Sequence, residues 1–385
     1  MRVNRNQSTQ SSIQGPKGRR AAVPLARSLF GALLPVLQRT SNPVLHSPSC
    51  LPCRLDRELN ASDADLLHLH WVQGEMLSIE AIGRLRKPLV WTLHDCWAFS
   101  GSEHYPNGLE DLRYEQGYHH HNRPPCHHGL DLDRWCWQRK RRHWRRPFQL
   151  VCPSRWLAGC VQRSALLGHW PVRVIPYPLP THIYRPWPKE MARQLFGLPA
   201  EGPLLLFGAL GGSRDPRKGW DLLEAALLQL APTLPGLQAV VFGQSQPPDP
   251  PRVGLPIHYV GTLHDDQSLA LLYSATDVMV VPSRMDNLPQ TAIEAQSCGV
   301  PVVAFNTSGL PDAVEHQRTG YLAEPFDPAD LAHGIGWVLE NSEGRERLGR
   351  QARARAIQLW SPQRIANLYA ALYEEVLSAT FTSMG

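Results

Sequence analysis

No stretch of this 385-residue chain reaches the roughly 18 uncharged apolar residues that a membrane-spanning helix needs. The longest early apolar run, Ser28 to Leu37, is broken by Gly31 and Pro35. A polytopic membrane protein is thereby excluded. Cysteine is sparse, 8 in 385, which excludes a disulfide-dense scaffold. Charged residues make up only 19% against 43% hydrophobic, a balance that excludes wholesale disorder. Acidic residues are missing altogether from Met1 to Leu55, where Lys and Arg number eight. The remainder carries 31 bases and 34 acids, so the overall charge of +5 comes from a basic N-terminal arm.

What is present is folded and rich in loops. Proline (35) and tryptophan (12) are both frequent, which points to many turns and to exposed aromatic contacts. The arm over 1–60 reads as poorly ordered, and its Arg- and Ser-rich beginning is also the composition of a transit peptide. Strand character begins in Asp63 to Val72 and returns at Pro88 to Leu93. Met76, Leu77, Ile79, Ile82 and Leu85 between them have helical spacing, giving a strand–helix–strand unit of a parallel sheet. Residues 96–129 show no clear period, a helix follows from Leu130, and strands return at 148–154 and 172–179. From Pro203 buried strands alternate with amphipathic helices for some 120 residues, the pattern of a doubly wound α/β domain. Pro328 to Leu377 reads as helical.

Two segments carry chemistry. The first runs from Ser283 through Asp286, Asn287, Leu288 and Pro289 to Glu294 and Ala295. It follows a strand and opens a helix, where free N–H groups and the helix dipole favour a diphosphate. Pro289 and Glu294 stand about 7 Å apart along a helix axis. Asp286 and Glu294 are thus placed to accept hydrogen bonds from two polyols, the ribose and hexose of a nucleotide sugar. The alternative is a capping acid with an exposed helix glutamate. The second segment is Gly211-Gly212-Ser213-Arg214-Asp215-Pro216-Arg217-Lys218-Gly219. Its glycines admit an anion close to the backbone, and Lys218 with Arg214 or Arg217 can neutralise a leaving diphosphate. It matches neither G-x-x-x-x-G-K-[ST] nor G-x-G-x-x-G. A basic surface turn is the plainer reading.

Pro203 to Pro325 resembles the donor-binding domain of retaining, family 4 type glycosyltransferases (glycosyl transferases group 1) of the GT-B fold. The shared features are Asp286-x7-Glu294 where those enzymes have E-x7-E, then Ala295, "GVPVVAF" and "SGLPDAVEHQRTGYLAEP". "KGWDLLEAAL", "PSRWL" and "HLHWV…WTLHDCWAFSG" extend the likeness over roughly 63–375. The resemblance implies two Rossmann-like domains facing a cleft, an acceptor-side domain over 61–175 and a donor domain over 176–365. A terminal helix over 366–385 would pack back towards the first domain. It also implies that Glu294 holds the ribose, Asp286 faces the transferred sugar and Lys218 the diphosphate. His94, ending the strand "PLVWTL", would stand near the donor sugar or orient the acceptor; His70 ranks below it. The donor would be UDP- or GDP-linked and the acceptor a saccharide or lipid-linked, with no metal or other cofactor and no nucleic acid. The chain departs from the pattern by Asp for the leading Glu, by Phe207-Gly208-Ala209 in place of "GR", and by Tyr177-Pro178-Leu179-Pro180 in place of "N-G-x-D". No opening β–α unit with Gly-Gly is evident before residue 60.

Two further segments stay outside that pattern. His119 to His121, Cys126, His127 and His128 fit no standard ligand spacing and read as a solvated loop. "RWCWQRKRRHWRR" (134–146) interleaves cations with Trp135, Trp137 and Trp144, which suits an anionic membrane surface or, alternatively, a solvated face. The expected location is cytoplasmic, with peripheral contact at the inner membrane face. Rival readings are a non-catalytic nucleotide-sugar-binding protein and a nucleic-acid-binding protein built on the basic segments.

Overall fold

The computed structural model describes residues 33–40, 42–125, 127–208 and 215–382. Gly211, Gly212 and Arg214, three of the expected donor-binding residues, lie outside them, as does most of the basic arm. The chain forms two compact units. One holds the chain to Pro153, Leu157–Val174 and the chain from Ala370; the other holds Ser154–Trp156 and Ile175–Tyr369.

The first unit contains α1 (Leu55–Asn60), β1 (Leu67–His70), α2 (Ile79–Gly83), β2 (Leu89–Thr92), α3 (Arg113–Gln116), α4 (Leu132–His143), β3 (Gln149–Cys152), most of α5 (Arg155–Arg163) and β4 (Val172–Val174). Its strands lie in the order β1-β2-β3-β4, all parallel. Leu67 and Leu69 of β1 are buried and alternate with His68 and His70, as the two-residue period of a strand requires. Helix α2 is shorter than the apolar spacing from Met76 predicts. Gly74 and Glu75 take positive φ of 61° and 62°, and the Ser78 side chain caps the helix by accepting from Ala81 N–H.

Two expectations for this unit are corrected. Residues 42–60 are no loose arm: His46 bridges to Glu103, Ser47 N–H donates to Ser102 O at 2.7 Å, and Trp97 Nε1 donates to Ser47 O at 2.8 Å. Nor is 134–146 a wholly exposed face. Trp137, Trp144 and Lys140 are buried, because α4 turns these positions inward against β2 and the 96–101 loop. The Lys140 ammonium lies 3.9 Å from the Trp97 ring centre. It donates to the carbonyls of Ser100 (3.2 Å), Gly101 (2.7 Å) and Trp97. Trp91 and Trp144 meet edge to face at 5.4 Å.

The second unit runs α6 (Lys189–Leu195), β5 (Leu204–Gly208), α7 (Trp220–Leu230), β6 (Gln238–Phe242), β7 (Ile257–Gly261), α8 (Asp266–Ser274), β8 (Val278–Val281), α9 (Gln290–Ser297), β9 (Val302–Phe305), α10 (Leu310–Ala313), β10 (Gly320–Ala323), α11 (Pro328–Glu340) and α12 (Ser342–Trp360). Helix α13 (Pro362–Thr382) follows. The six strands are all parallel, in the order β10-β9-β8-β5-β6-β7. The chain therefore builds outward from β5 through β6 to β7, then crosses back to lay β8, β9 and β10 on the other side. β5 and β8 flank the point where the order reverses, the place where open α/β sheets bind ligands beyond their carboxyl ends. All four residues of β8 and of β9 are buried, as a sheet covered on both faces demands.

Candidate functional site

Both chemistry-bearing segments of the second unit leave that reversal point, one after β5 and the other after β8. A short 3-10 turn, Pro216–Lys218, is capped by Asp215, whose side chain accepts from Arg217 N–H. Gly219 closes it with φ 70°, and a Cβ there would lie 1.9 Å from Pro282 O. Only glycine lets the turn press this closely against the end of β8. Arg284 N–H then donates to Arg217 O at 2.8 Å.

This packing delivers Lys218 to Asp286, with Nζ 2.6 Å from Oδ2. The Asp286 loop is clamped from behind as well. Its N–H donates to Ser308 Oγ at 3.0 Å, and its carbonyl accepts from Gly309 N–H at 2.9 Å. Arg217 stands second to Lys218, its guanidinium 3.8 Å from Asp286 Oδ2 and 2.9 Å from Met285 O. Burial works to raise the Asp286 carboxyl, but the charges of Lys218 and Arg217 outweigh it and hold the group below the usual carboxylate range. Asn287 and Leu288 are buried beside it, and Asn287 Oδ1 accepts from Ser154 Oγ at 2.6 Å. Pro289 takes the position just before α9 rather than the first position within it.

Glu294 lies one turn into α9 with its carboxylate turned inward. Tyr273 OH donates to Oε2 at 2.7 Å, and Tyr184 OH, which donates to Asp266 Oδ1 at 3.1 Å, stands close enough to lower the Glu294 carboxyl as well. Desolvation raises the carboxyl to about 7, against these hydrogen bonds, which lower it. Tyr273 packs edge to face on Phe242, 5.9 Å between centres, and Phe242 ends β6 against Gly208, the last residue of β5. This chain of contacts ties Glu294, like Lys218 and Asp286, to the carboxyl ends of the central strands. Tyr273 and Tyr184 had no sequence signal as site residues. Tyr273 read as an ordinary apolar position of its helix, and only the fold brings it to Glu294.

His94 belongs to the first unit, just past the end of β2. Its Nε2 is 3.1 Å from His70 Nδ1, so the histidine ranked second in the sequence is its direct neighbour. His68 completes the row, with Nδ1 2.6 Å from Tyr373 OH and Nε2 2.8 Å from Thr92 Oγ1. Burial lowers all three imidazoles, His70 to about 4 and His68 to about 3, and keeps them neutral at physiological pH. Asp95 Oδ2 is 2.6 Å from His104 Nδ1, and the Asp95 charge works against the lowering of His94.

Residues 209–355 match the family model of glycosyl transferases group 1. Over that stretch the chain is similar to glycosyl transferases group 1. Lys218, Asp286 and Glu294 all fall within it. Over 185 residues the chain is 32% identical to the D-inositol 3-phosphate glycosyltransferase of Acidothermus cellulolyticus, covering 44% of this chain and 40% of that protein. It is 34% identical over 194 residues to the glycogen synthase of Mycobacterium tuberculosis, covering 49% and 45%. The matched stretch thus spans less than half the length of either relative. Among solved structures, sucrose-phosphate synthase from Thermosynechococcus elongatus superposes over 94% of both chains with a TM-score of 0.64 and 22% identity. Anabaena HepE in complex with UDP and glucose covers 84% of this chain and 80% of its own, with a TM-score of 0.61 and 20% identity. These likenesses show the fold, an α/β GT-B architecture with parallel sheets in two Rossmann-like domains, and the stretch matched by the group 1 model makes the larger part of the second unit.

Proposed function

We propose that this protein is a glycosyltransferase. It moves a sugar from a UDP- or GDP-linked donor to a saccharide or lipid-linked acceptor, with retention of anomeric configuration, in polysaccharide or glycan synthesis. One observation carries the reading: the Lys218–Asp286 pair at the strand-order reversal of a group 1 domain. Lys218, with Arg217 beside it, supplies the positive charge that a leaving diphosphate needs, without a metal at that point. Glu294 accepts from the ribose hydroxyls and Asp286 from the transferred sugar. Gly211, Gly212 and Arg214 lie outside the described residues, and the resemblance assigns them to the diphosphate. The bond from the anomeric carbon to the diphosphate oxygen breaks, and the acceptor hydroxyl bonds to that carbon on the same face. The acceptor's proton goes to the departing diphosphate. The protein's share is positioning and leaving-group stabilisation. His94 is assigned to the sugar or the acceptor by the same resemblance, with His70 fixing its ring.

The acceptor reading includes peripheral contact with an anionic membrane through 134–146. Arg141, Arg142, Arg145, Arg146 and Trp135 are the exposed residues that support it. Among the described residues, no helix is long and apolar enough to cross a membrane. Burial of Trp137 and Trp144 removes two of the three rings that a base-stacking surface would need.

The test is a thermal-shift panel of UDP-, GDP- and ADP-sugars on the full chain, since a ligand that binds only the native state raises its stability. One nucleotide series should raise Tm in wild type and not in Lys218→Ala. No shift with any series would remove the reading. NMR of the product's anomeric proton decides retention.

A further inference from the structure

We infer that His46, Glu103 and Asp133 form a binding site for one divalent transition-metal ion, Zn2+ in the first place. The site lies in the first unit and does not depend on the glycosyltransferase reading. The three residues come from three separate stretches: the segment before α1, the loop after β2, and the first turn of α4. All three are buried, at 6%, 3% and 2% exposure. One ring nitrogen of His46 and one oxygen from each carboxylate lie within 4.8 Å of one another. His46 Nδ1 is 3.4 Å from Asp133 Oδ1. Zn2+ takes imidazole nitrogen and carboxylate oxygen at about 2.0–2.2 Å, so two ligands around one ion stand roughly 3–4 Å apart. The cluster needs only small side-chain movements to meet that spacing.

Charge makes the case. The Glu103 and Asp133 carboxyl groups face each other within hydrogen-bonding reach, in a place without access to water. Two buried carboxyl groups held together must share a proton or take a positive partner, and burial with the facing Asp133 pushes the Glu103 carboxyl well above the usual carboxylate range. The buried Lys140 ammonium makes its hydrogen bonds to the carbonyls of Trp97, Ser100 and Gly101. The His46 imidazole reaches Asp133 from one side, its Nδ1 also 3.0 Å from Ser102 Oγ, and the other donors are neutral. Tyr118 OH and Gly101 N–H serve Glu103 Oε1. Gln38 Nε2 reaches Asp133 Oδ2, and Ser102 donates to Oδ1 through both its hydroxyl (2.5 Å) and its N–H (3.2 Å). These groups orient the ligands as the outer shell of a metal site does. Two buried atoms of the cluster, Glu103 Oε2 and His46 Nε2, have no hydrogen-bond partner. The side-chain oxygen of Gln38, on the amide that already touches Asp133, is likewise unpartnered. One imidazole with two carboxylates suits Zn2+ or Mn2+ better than an all-oxygen cation such as Ca2+. So deep an ion would be structural, pinning the segment around His46 to α4.

The test uses the full chain, stripped with chelator and then offered one equivalent of Zn2+ or of Co2+. Metal analysis after desalting should find one ion per chain, with a rise in Tm and, for Co2+, visible d–d bands of a nitrogen–oxygen site. Glu103→Gln and His46→Gln should each retain less than a tenth as much. The exposed pair His119 and His121, whose rings stack at 5.2 Å, is the competing place for adventitious metal. The His119→Ala/His121→Ala double variant should therefore bind like wild type. The proposal is overturned if wild type retains no ion, if Glu103→Gln retains it equally, or if the double variant loses it. Wild type that holds no ion while Glu103→Gln raises Tm would show a shared proton in the ion's place. Should both ligand variants fail to fold, the wild-type Co2+ spectrum and stoichiometry decide alone.

Discussion

Lys218 and Asp286, 68 positions apart in sequence, meet at 2.6 Å where the strand order of the second unit reverses. Asp286 is buried, Lys218 is half-buried, and each is the other's counter-charge. Among the described residues, removing the lysine leaves a buried carboxylate with Arg217, at 3.8 Å, as its paired cation. Lys218→Ala should cost about 1–3 kcal/mol of stability, below the full cost of breaking a wholly buried pair because the lysine keeps some solvent contact. It should also weaken nucleotide-sugar affinity at least about tenfold, the order of one lost charge-assisted contact. Urea unfolding and titration calorimetry measure the two effects separately.

Glu294 gives a prediction of opposite sign for stability. Its carboxyl is raised to about 7 in the folded chain, above the unfolded value near 4.3. The unfolded state therefore loses this proton first as pH rises. Stability contributed by the group falls from about pH 4.3 to 7 and is level above that. Glu294→Gln should stabilise the protein at pH 8 by up to about 3 kcal/mol and not at pH 4, as two to three pKa units imply. It should also abolish the pH dependence of donor binding. In wild type that affinity should drop about tenfold between pH 8 and pH 6, as the acceptor carboxylate takes up its proton. Denaturation at the two pH values, with calorimetry alongside, checks the pair of outcomes.

The histidine row should act on transfer rather than on nucleotide binding. His94→Ala is expected to lower kcat by about a hundredfold or more, the usual share of a positioned imidazole, while leaving the affinity for the free nucleoside diphosphate within about twofold. His70→Ala, which frees the His94 ring, should lower kcat less, and His70→Asn should restore part of the loss. An equal loss of diphosphate affinity in His94→Ala would contradict its assignment to the sugar or acceptor.

Gly219 tests the packing that creates the site. Gly219→Ala forces a side chain into φ 70° and to within 1.9 Å of Pro282 O. The left-handed conformation alone costs about 1–2 kcal/mol, and the collision adds to it. The turn should shift, carrying Lys218 off Asp286. A variant with unchanged stability and unchanged donor affinity would show that the turn is not held as described.

Much of this was legible in the sequence, for physical reasons that can be named. The strands of the second unit announce themselves as continuous apolar runs, since a parallel sheet buries both faces. Asp286, Glu294 and Lys218 were legible because they flank such runs at strand–helix turns. Strand β10, "GYLA", was missed: it is four residues long and only half-buried in the middle. Helix α6 was missed because seven mixed residues show too little period. Residues 42–60 read as loose because they lack period, yet side-chain and backbone hydrogen bonds tie them to the 97–104 loop. Local pattern cannot reveal pairings so distant in sequence. The same limit hid Lys140 and Trp137, whose inward direction is set by where α4 packs.

The most direct test of the central claim is release of nucleoside diphosphate from a radiolabelled nucleotide sugar, measured for wild type, Lys218→Ala and Glu294→Ala. The account predicts measurable release or transfer by wild type with one nucleotide series, and a fall of at least about a hundredfold in both variants, the scale of losing one preorganised electrostatic contact. Wild-type turnover that survives in both variants would contradict it.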